Sequence, residues 1–242
     1  MTELIFVRRL AIVLLVFLTA CAAGQAPQSA DLPELPELPR LQRPAELPKS
    51  GRLLVIDPER SSVRIHVFRA GRAAQLGHNH LLTAPKMAGL VWLPGPGLTG
   101  AGFSLELRLD ELMVDPLAQR AAIGPGWESV ISAESAAATR LNMLGHANLQ
   151  AERFPFLRIR SLQVIGELPK VAASIEIELH GQRQALWVPL QILLNAESLK
   201  ASGAMVLRQS DFGITPFSLL GGLLAVHDEL LIEFDLGAFQ QR

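Results

Sequence analysis

From Gly51 onward the chain alternates apolar and polar positions. Val63, Ile65 and Val67 interleave with Arg64, His66 and Phe68, and Phe103, Leu105, Leu107 and Leu109 interleave with Ser104, Glu106, Arg108 and Asp110. Ile175, Ile177 and Leu179 alternate with Glu176, Glu178 and His180, while Leu186, Val188, Leu190 and Ile192 face away from Trp187 and Gln191. Leu230, Ile232, Phe234 and Leu236 do the same against Leu231, Glu233 and Asp235. A period of two gives each strand one apolar and one wet face, the pattern of antiparallel sheet. Pro94-Gly95-Pro96-Gly97, Gly124-Pro125-Gly126, Gly166 to Pro169, His180-Gly181 and Gly221-Gly222 punctuate the runs as turns. Many strands joined in this way predict a sandwich or a barrel. Trp127 to Leu144 breaks the period: Val130, Ala137, Leu141 and Leu144 recur at helical spacing around an alanine-rich centre, with Gly145 just beyond. One amphipathic helix with a glycine C-cap, packed on the strands, is expected there.

The N-terminal segment is of another kind. Arg8-Arg9 precede the apolar run Leu10 to Leu18, which closes on Leu18-Thr19-Ala20-Cys21. This is an export signal, too short for a membrane span of about 20 apolar residues. Cys21 is the only cysteine, so no intramolecular disulfide can form. Leu-Thr-Ala-Cys resembles the bacterial lipoprotein signal, which implies that Cys21 becomes the lipid-bearing first residue of the mature chain. Ala22 after it implies outer-membrane sorting on the periplasmic side. Acyl chains contribute about 0.8 kcal/mol per buried methylene, so two or three anchor a domain stably. Beyond Cys21, repeated prolines from Pro33 to Pro48 predict a semi-rigid, extended spacer. The expected organisation is a signal over residues 1–20, a linker over 21–50 and one domain over 51–242. Removing Glu3, Arg8 and Arg9 with the signal leaves 20 basic and 22 acidic residues. Such a balance offers no basic stripe, and no nucleic-acid partner is expected.

Five short motifs then occur in a recognisable order. Val55-Ile56-Asp57-Pro58-Glu59-Arg60-Ser61-Ser62-Val63 resembles the opening strand of the YceI-like family, and Glu152-Arg153-Phe154-Pro155-Phe156 its acidic-aromatic segment. His180-Gly181, Arg208-Gln209-Ser210-Asp211-Phe212-Gly213-Ile214 and Val226-His227-Asp228-Glu229-Leu230 are similar to its later motifs. The resemblance spans about residues 53 to 236. It implies an all-β fold, an eight-stranded antiparallel lipocalin-like barrel, whose cavity holds a long polyisoprenoid or similar lipid. With one accessory α-helix, that is the expected architecture; barrels of eight strands are just large enough to enclose one small ligand. Val63, Ile65, Val67, Phe103, Leu105, Leu107, Ile175 and Ile177 are the candidate ligand-binding positions. The chain departs from the family pattern at Ala70 to Gln75 and at Gly77-His78-Asn79-His80.

That departure carries the alternative chemistry. On a strand, His78 and His80 would lie on one face about 6 to 7 Å apart, close enough to share an ion. Zinc requires a third protein ligand, and Leu144-Gly145-His146 echoes Leu76-Gly77-His78, which makes His78, His80 and His146 a candidate zinc or copper site. The competing reading has these imidazoles bonding loops at the barrel rim or lining a polar end of the cavity, where they could meet a ligand headgroup. His66, His180 and His227 read as surface or turn residues. The sequence carries no Gly-x-Ser-x-Gly elbow, no phosphate loop and no His-Glu-x-x-His helix, so no enzymatic activity and no cofactor are expected.

Overall fold

The computed structural model describes residues 51–95 and 97–240; the signal, Cys21 and the proline-rich linker lie outside the described residues. In chain order the strands are β1 (Arg52–Ile56), β2 (Ser62–Ala70), β3 (His80–Thr83), β4 (Ala88–Leu93), β5 (Gly102–Arg108), β6 (Met113–Val114), β7 (Phe156–Glu167), β8 (Lys170–Leu179), β9 (Gln182–Leu194), β10 (Ser198–Arg208), β11 (Ser218–Leu219) and β12 (Leu224–Gln240). Two helices interrupt them, α1 (Leu117–Ala121) and α2 (Ala133–Leu144).

β1, β4, β5, β7, β8, β9, β10 and β12 follow one another antiparallel, and pairing of β1 with β12 through Leu54↔Gln240 and Ile56↔Ala238 closes the ring. The fold is therefore the expected all-β, eight-stranded antiparallel barrel, with four further strands attached. β2 pairs with the other half of β12, from Ala70↔Ala225 to Ser62↔Asp235, so β1 and β2 lie end to end along one edge. The Asp-Pro-x-x-Ser motif makes the corner between them. Pro58 opens a single 3-10 turn, and Asp57 Oδ1 accepts from the Glu59 N–H at 3.0 Å. Ser61 Oγ donates to the Asp57 carbonyl at 2.7 Å and accepts from the Gly237 N–H at 3.0 Å, tying the corner to β12. β3 adds to β2 and β6 to β3.

Alternation is realised most cleanly on β8, where Val171, Ala173, Ile175, Ile177 and Leu179 are all buried and the residues between them are half-buried. The β8–β9 hairpin turns on His180 and Gly181, with φ of 54° and 73°. Two positive φ values in a two-residue loop define the I′ turn that matches strand twist. A Cβ at Gly181 would also lie 2.8 Å from the Phe154 ring, so the His-Gly motif is fixed twice over.

The ladder between β9 and β10 is incomplete. It runs from Leu194↔Leu199 to Leu190↔Gly203 and stops. Pro189 is the next β9 residue, and proline has no N–H to donate to a ladder. From there residues 182–189 of β9 pair with β8 on one side only, and residues 204–208 of β10 with β12 only, among the described residues.

Two expectations change. The helix begins at Ala133, with Ser132 Oγ accepting from the Ser135 N–H, and not at Trp127. Val130 and Leu141, expected on its buried face, are 78% and 75% exposed. α2 is held instead by Arg140, whose guanidinium donates to the Asp110 and Leu112 carbonyls, and by Met143 and Leu144 against the core. Gly145 does end the helix, but with φ of −69°; its glycine is required because a Cβ would lie 2.9 Å from the Leu141 carbonyl oxygen. His66, expected at the surface, is buried and bonds Glu233 Oε2 through Nε2 at 2.9 Å.

Candidate ligand-binding cavities

The barrel holds a cavity of about 120 Å³. Every strand of the ring contributes to its wall, through Ile56, Val91, Leu105, Ile159, Ile175, Val188, Met205, Phe234 and their neighbours. Val63 and Ile65 of β2 and Leu98 and Ala101 of the β4–β5 loop complete it. No charged or hydrogen-bonding side chain lines this tunnel. The barrel interior is the inward row of each strand, and on β7 a bulge between Ser161 and Gln163 shifts that row from Ile159 to Val164 while keeping it apolar. Gly203 interrupts that row on β10: a Cβ there would lie 2.8 Å from the tip of the Phe234 ring and 2.7 Å from the Pro189 carbonyl oxygen. The glycine lets an aromatic ring fill the space opposite.

Seven of the candidate ligand-binding residues, Val63, Ile65, Phe103, Leu105, Leu107, Ile175 and Ile177, line this tunnel. Val67 does not. It lines a second chamber of about 140 Å³, together with His80, Leu82, Leu179, Leu207, Ile214, Phe217, Val226 and Leu230. Thr139, Asn142, Met143, Asn148, Leu149 and Gln209 complete that wall. The two cavities share Leu207. Along β2, β8 and β12 the inward row passes from one to the other in a single two-residue step: Ile65 to Val67, Ile177 to Leu179, Ile232 to Leu230. Such a step is about 6 to 7 Å, so the chamber continues the tunnel.

The chamber is where polar side chains enter. Gln209 is buried, and its Nε2 donates to the His227 carbonyl at 2.9 Å, leaving Oε1 without a partner among the described residues. Asn148 Nδ2 donates to the Thr215 carbonyl at 3.1 Å and leaves Oδ1 likewise open. The Arg-Gln-Ser-Asp-Phe-Gly-Ile motif holds Gln209 in place. Phe212 and Ile214 are buried as anchors, Gly213 takes the left-handed φ of 68°, and Asp228 Oδ1 accepts from the Ser210 N–H at 2.7 Å.

The three candidate metal ligands are not brought together. β3 begins at His80, so His78 lies before the strand and not on a shared strand face, and both His78 and His146 are exposed. His80 turns its Nδ1 to Asp115 Oδ2 at 2.6 Å. The other oxygen of that fully buried carboxylate accepts from the Leu81 N–H at 2.9 Å and from Arg120 Nη1 at 3.0 Å. Arg120 is 1% exposed, donates to Ser129 through Nε and Nη2 and to the Asn79 carbonyl, and lies 5.4 Å from the Trp127 ring centroid. The Gly-His-Asn-His segment is thus latched to α1 by a buried ion pair. Among the described residues no three His, Cys, Asp or Glu side chains gather as a metal would require.

Asp115, Arg120, Gln209, Thr139, Asn142 and Asn148 were not legible as site residues. Asp115 sits at φ of 51°, which no sequence pattern announces, and Arg120 is an arginine in an exposed-looking Ala-Gln-Arg-Ala run. Asp115-Pro116, a turn dipeptide between two short elements, is the one local signal.

No protein-family model matches this chain, and no curated protein does. Solved structures do. Burkholderia cenocepacia BcnA superposes with a TM-score of 0.55 at 13% identity, over 75% of this chain and 98% of BcnA. A polyisoprenoid-binding domain from Saccharophagus degradans, implicated in plant cell wall breakdown, gives 0.51 at 9% identity over 79% and 99%. A mutant CJ YCEI protein made for nanotechnology applications gives 0.50 at 8% identity over 66% and 85%. At such identities the likeness is one of fold: the chain has the YceI-like barrel.

Proposed function

We propose that this protein binds a long apolar chain of polyisoprenoid type in the barrel tunnel, without catalysis, as a membrane-anchored periplasmic carrier or sensor. The observation that carries the reading is the wall of the tunnel, apolar on every strand of a closed barrel. That one structural neighbour is a polyisoprenoid-binding domain supports the same ligand class. Burial of apolar surface contributes roughly 25 cal/mol per Å² before the costs of association. A chain with no polar groups asks only for that burial, and this wall offers nothing else.

The cavity of about 120 Å³ is below the roughly 300 to 1,000 Å³ of ordinary small-molecule sites. Dry apolar cavities of similar size, about 150 Å³ in an engineered case, take up apolar ligands readily. Met205 and Leu207 of the tunnel wall stand on the stretch of β10 that does not pair with β9, where the wall is freest to yield to a longer chain. The acceptor-free wall also gives no nucleophile or proton-transfer pair facing the chain, which is why the reading is one of binding.

Cys21, when lipidated, would hold the barrel at the outer membrane, with residues 21–50 as the spacer, so that the domain meets the bilayer from which an apolar chain comes. The test is extraction. Protein purified from a membrane-containing source and washed by dialysis should release a long-chain lipid into organic solvent at close to one molecule per barrel. Release of none, from folded protein reconstituted with prenyl lipid vesicles, would overturn the reading. A Cys21→Ala form that stays soluble yet carries the same lipid load would count against delivery from the anchoring membrane.

A further inference from the structure

We infer that the second chamber receives the head of the bound chain, and that this head is uncharged and hydrogen-bonding, as a hydroxyl or a primary amide is. The inference rests on the reading of the tunnel as a chain site and names what sits at its end. Leu207 belongs to both cavities, and three strands carry their inward rows across without a break, so a chain in the tunnel ends in the chamber.

The polar atoms left open there are neutral and of both kinds. Gln209 gives one amide N–H to the His227 carbonyl and Asn148 one to the Thr215 carbonyl, which leaves each its oxygen and a second N–H, and Thr139 and Asn142 stand on the same wall. His80 adds a further acceptor. The Asp115 carboxylate faces Arg120 and the Leu81 N–H, so it accepts, and the His80 Nδ1 must carry the hydrogen between them. In the neutral imidazole that fixes Nε2 as an acceptor, and Nε2 has no partner among the described residues. The buried ion pair therefore has a consequence at the chamber wall: it sets the tautomer of His80.

An anionic head is disfavoured on the same wall. No lysine or arginine lines the chamber, and Arg140, the cation next to Thr139 in sequence, is turned to the Asp110 and Leu112 carbonyls. The helical residues present, Thr139, Asn142 and Met143, belong to the C-terminal half of α2, the negative end of its dipole. A phosphate buried without a cation or a helix N-terminus would give up hydration that neutral amides and a hydroxyl do not replace. An uncharged hydroxyl or amide, facing these neutral acceptors and donors, replaces its water partners directly.

The test compares three probes of one chain length against the full domain: a prenyl alcohol, its monophosphate and the hydrocarbon with no head. The alcohol should bind about tenfold tighter than the hydrocarbon and tighter still than the phosphate, as one or two recovered hydrogen bonds require. His80→Asn keeps an N–H for Asp115 but removes Nε2; it should lose most of the alcohol's advantage while leaving the hydrocarbon affinity unchanged. Asn142→Lys, at an exposed position on the chamber wall, should shift preference toward the phosphate without disturbing the fold. Equal binding of alcohol and hydrocarbon, or tighter binding of the phosphate, would overturn the head assignment and leave the tunnel reading standing. Failure of all three probes to bind folded protein would remove the tunnel reading and this inference with it.

Discussion

His80 and Asp115 are joined Nδ1 to Oδ2 at 2.6 Å, 35 residues apart in the chain, and the same carboxylate holds the buried Arg120 guanidinium. The histidine that looks like a metal ligand in sequence is hydrogen-bonded to a buried ion pair. Removing one partner of such a pair leaves an uncompensated charge, so Asp115→Ala should destabilise the domain by about 3 to 5 kcal/mol. Asp115→Asn should cost less, because asparagine tolerates the positive φ and can still accept from the Leu81 N–H. Denaturant unfolding of the two variants checks this; a loss below about 1 kcal/mol for the alanine variant would show that the pair is not what holds this segment.

Ala201 stands on the tunnel wall, opposite Ile192 on one side and Leu236 on the other. Ala201→Phe should place its ring in the cavity and weaken binding of a long prenyl chain at least tenfold. Overpacking should lower stability by about 1 to 3 kcal/mol, leaving the domain folded. Calorimetric titration and a thermal melt on the same variant separate the two effects. Undiminished binding by a folded variant would mean that the chain lies elsewhere.

The unpaired stretch of β9 is open to hydrogen exchange. Amides of residues 182–188 that point away from β8 have no strand partner among the described residues, whereas those of β8 lie between two paired neighbours. They should exchange faster than the amides of residues 171–179 by orders of magnitude, and slow when a chain is bound if the seam is its entrance. Uniform protection along both strands would contradict an open seam.

Acid should weaken the corner that follows β5. Asp110 is held below its ordinary carboxylate value by its side-chain hydrogen bond with Arg108, at 2.8 and 2.9 Å. A folded-state value below the unfolded one gives stability that is present above about pH 4 and lost as pH falls through the lower folded value. Asp110→Asn should therefore flatten the stability profile below about pH 4 and lower the plateau above it, as urea unfolding across that range would reveal. An unchanged difference between the two proteins from acid to neutral pH would remove the role given to this pair.

Much of the barrel is legible in the sequence because its determinants are local. Alternation on β8 and β12 needs only the pleat, and His180-Gly181 needs only a turn with two positive φ values. The helix was misplaced because Val130 and Leu141 have the right spacing but find no surface to cover, while Arg140, a surface residue by type, is the one that docks. The chamber was invisible for a related reason. Its polar wall joins Gln209, Asn148 and His80 from three distant parts of the chain, and each is an ordinary polar residue until the fold sets it at the end of an apolar tunnel. Val67 differs from Ile65 only by lying one pleat further along β2, and that step places it in the other cavity.

Methyl-resolved NMR of the folded domain during titration with a long prenyl chain tests the central claim most directly. Ile177, Leu105 and Val188 of the tunnel wall should shift, while the exposed Val130 and Leu141 stay in place. Shifts confined to surface methyls, or none at saturating chain, would contradict a ligand inside the barrel.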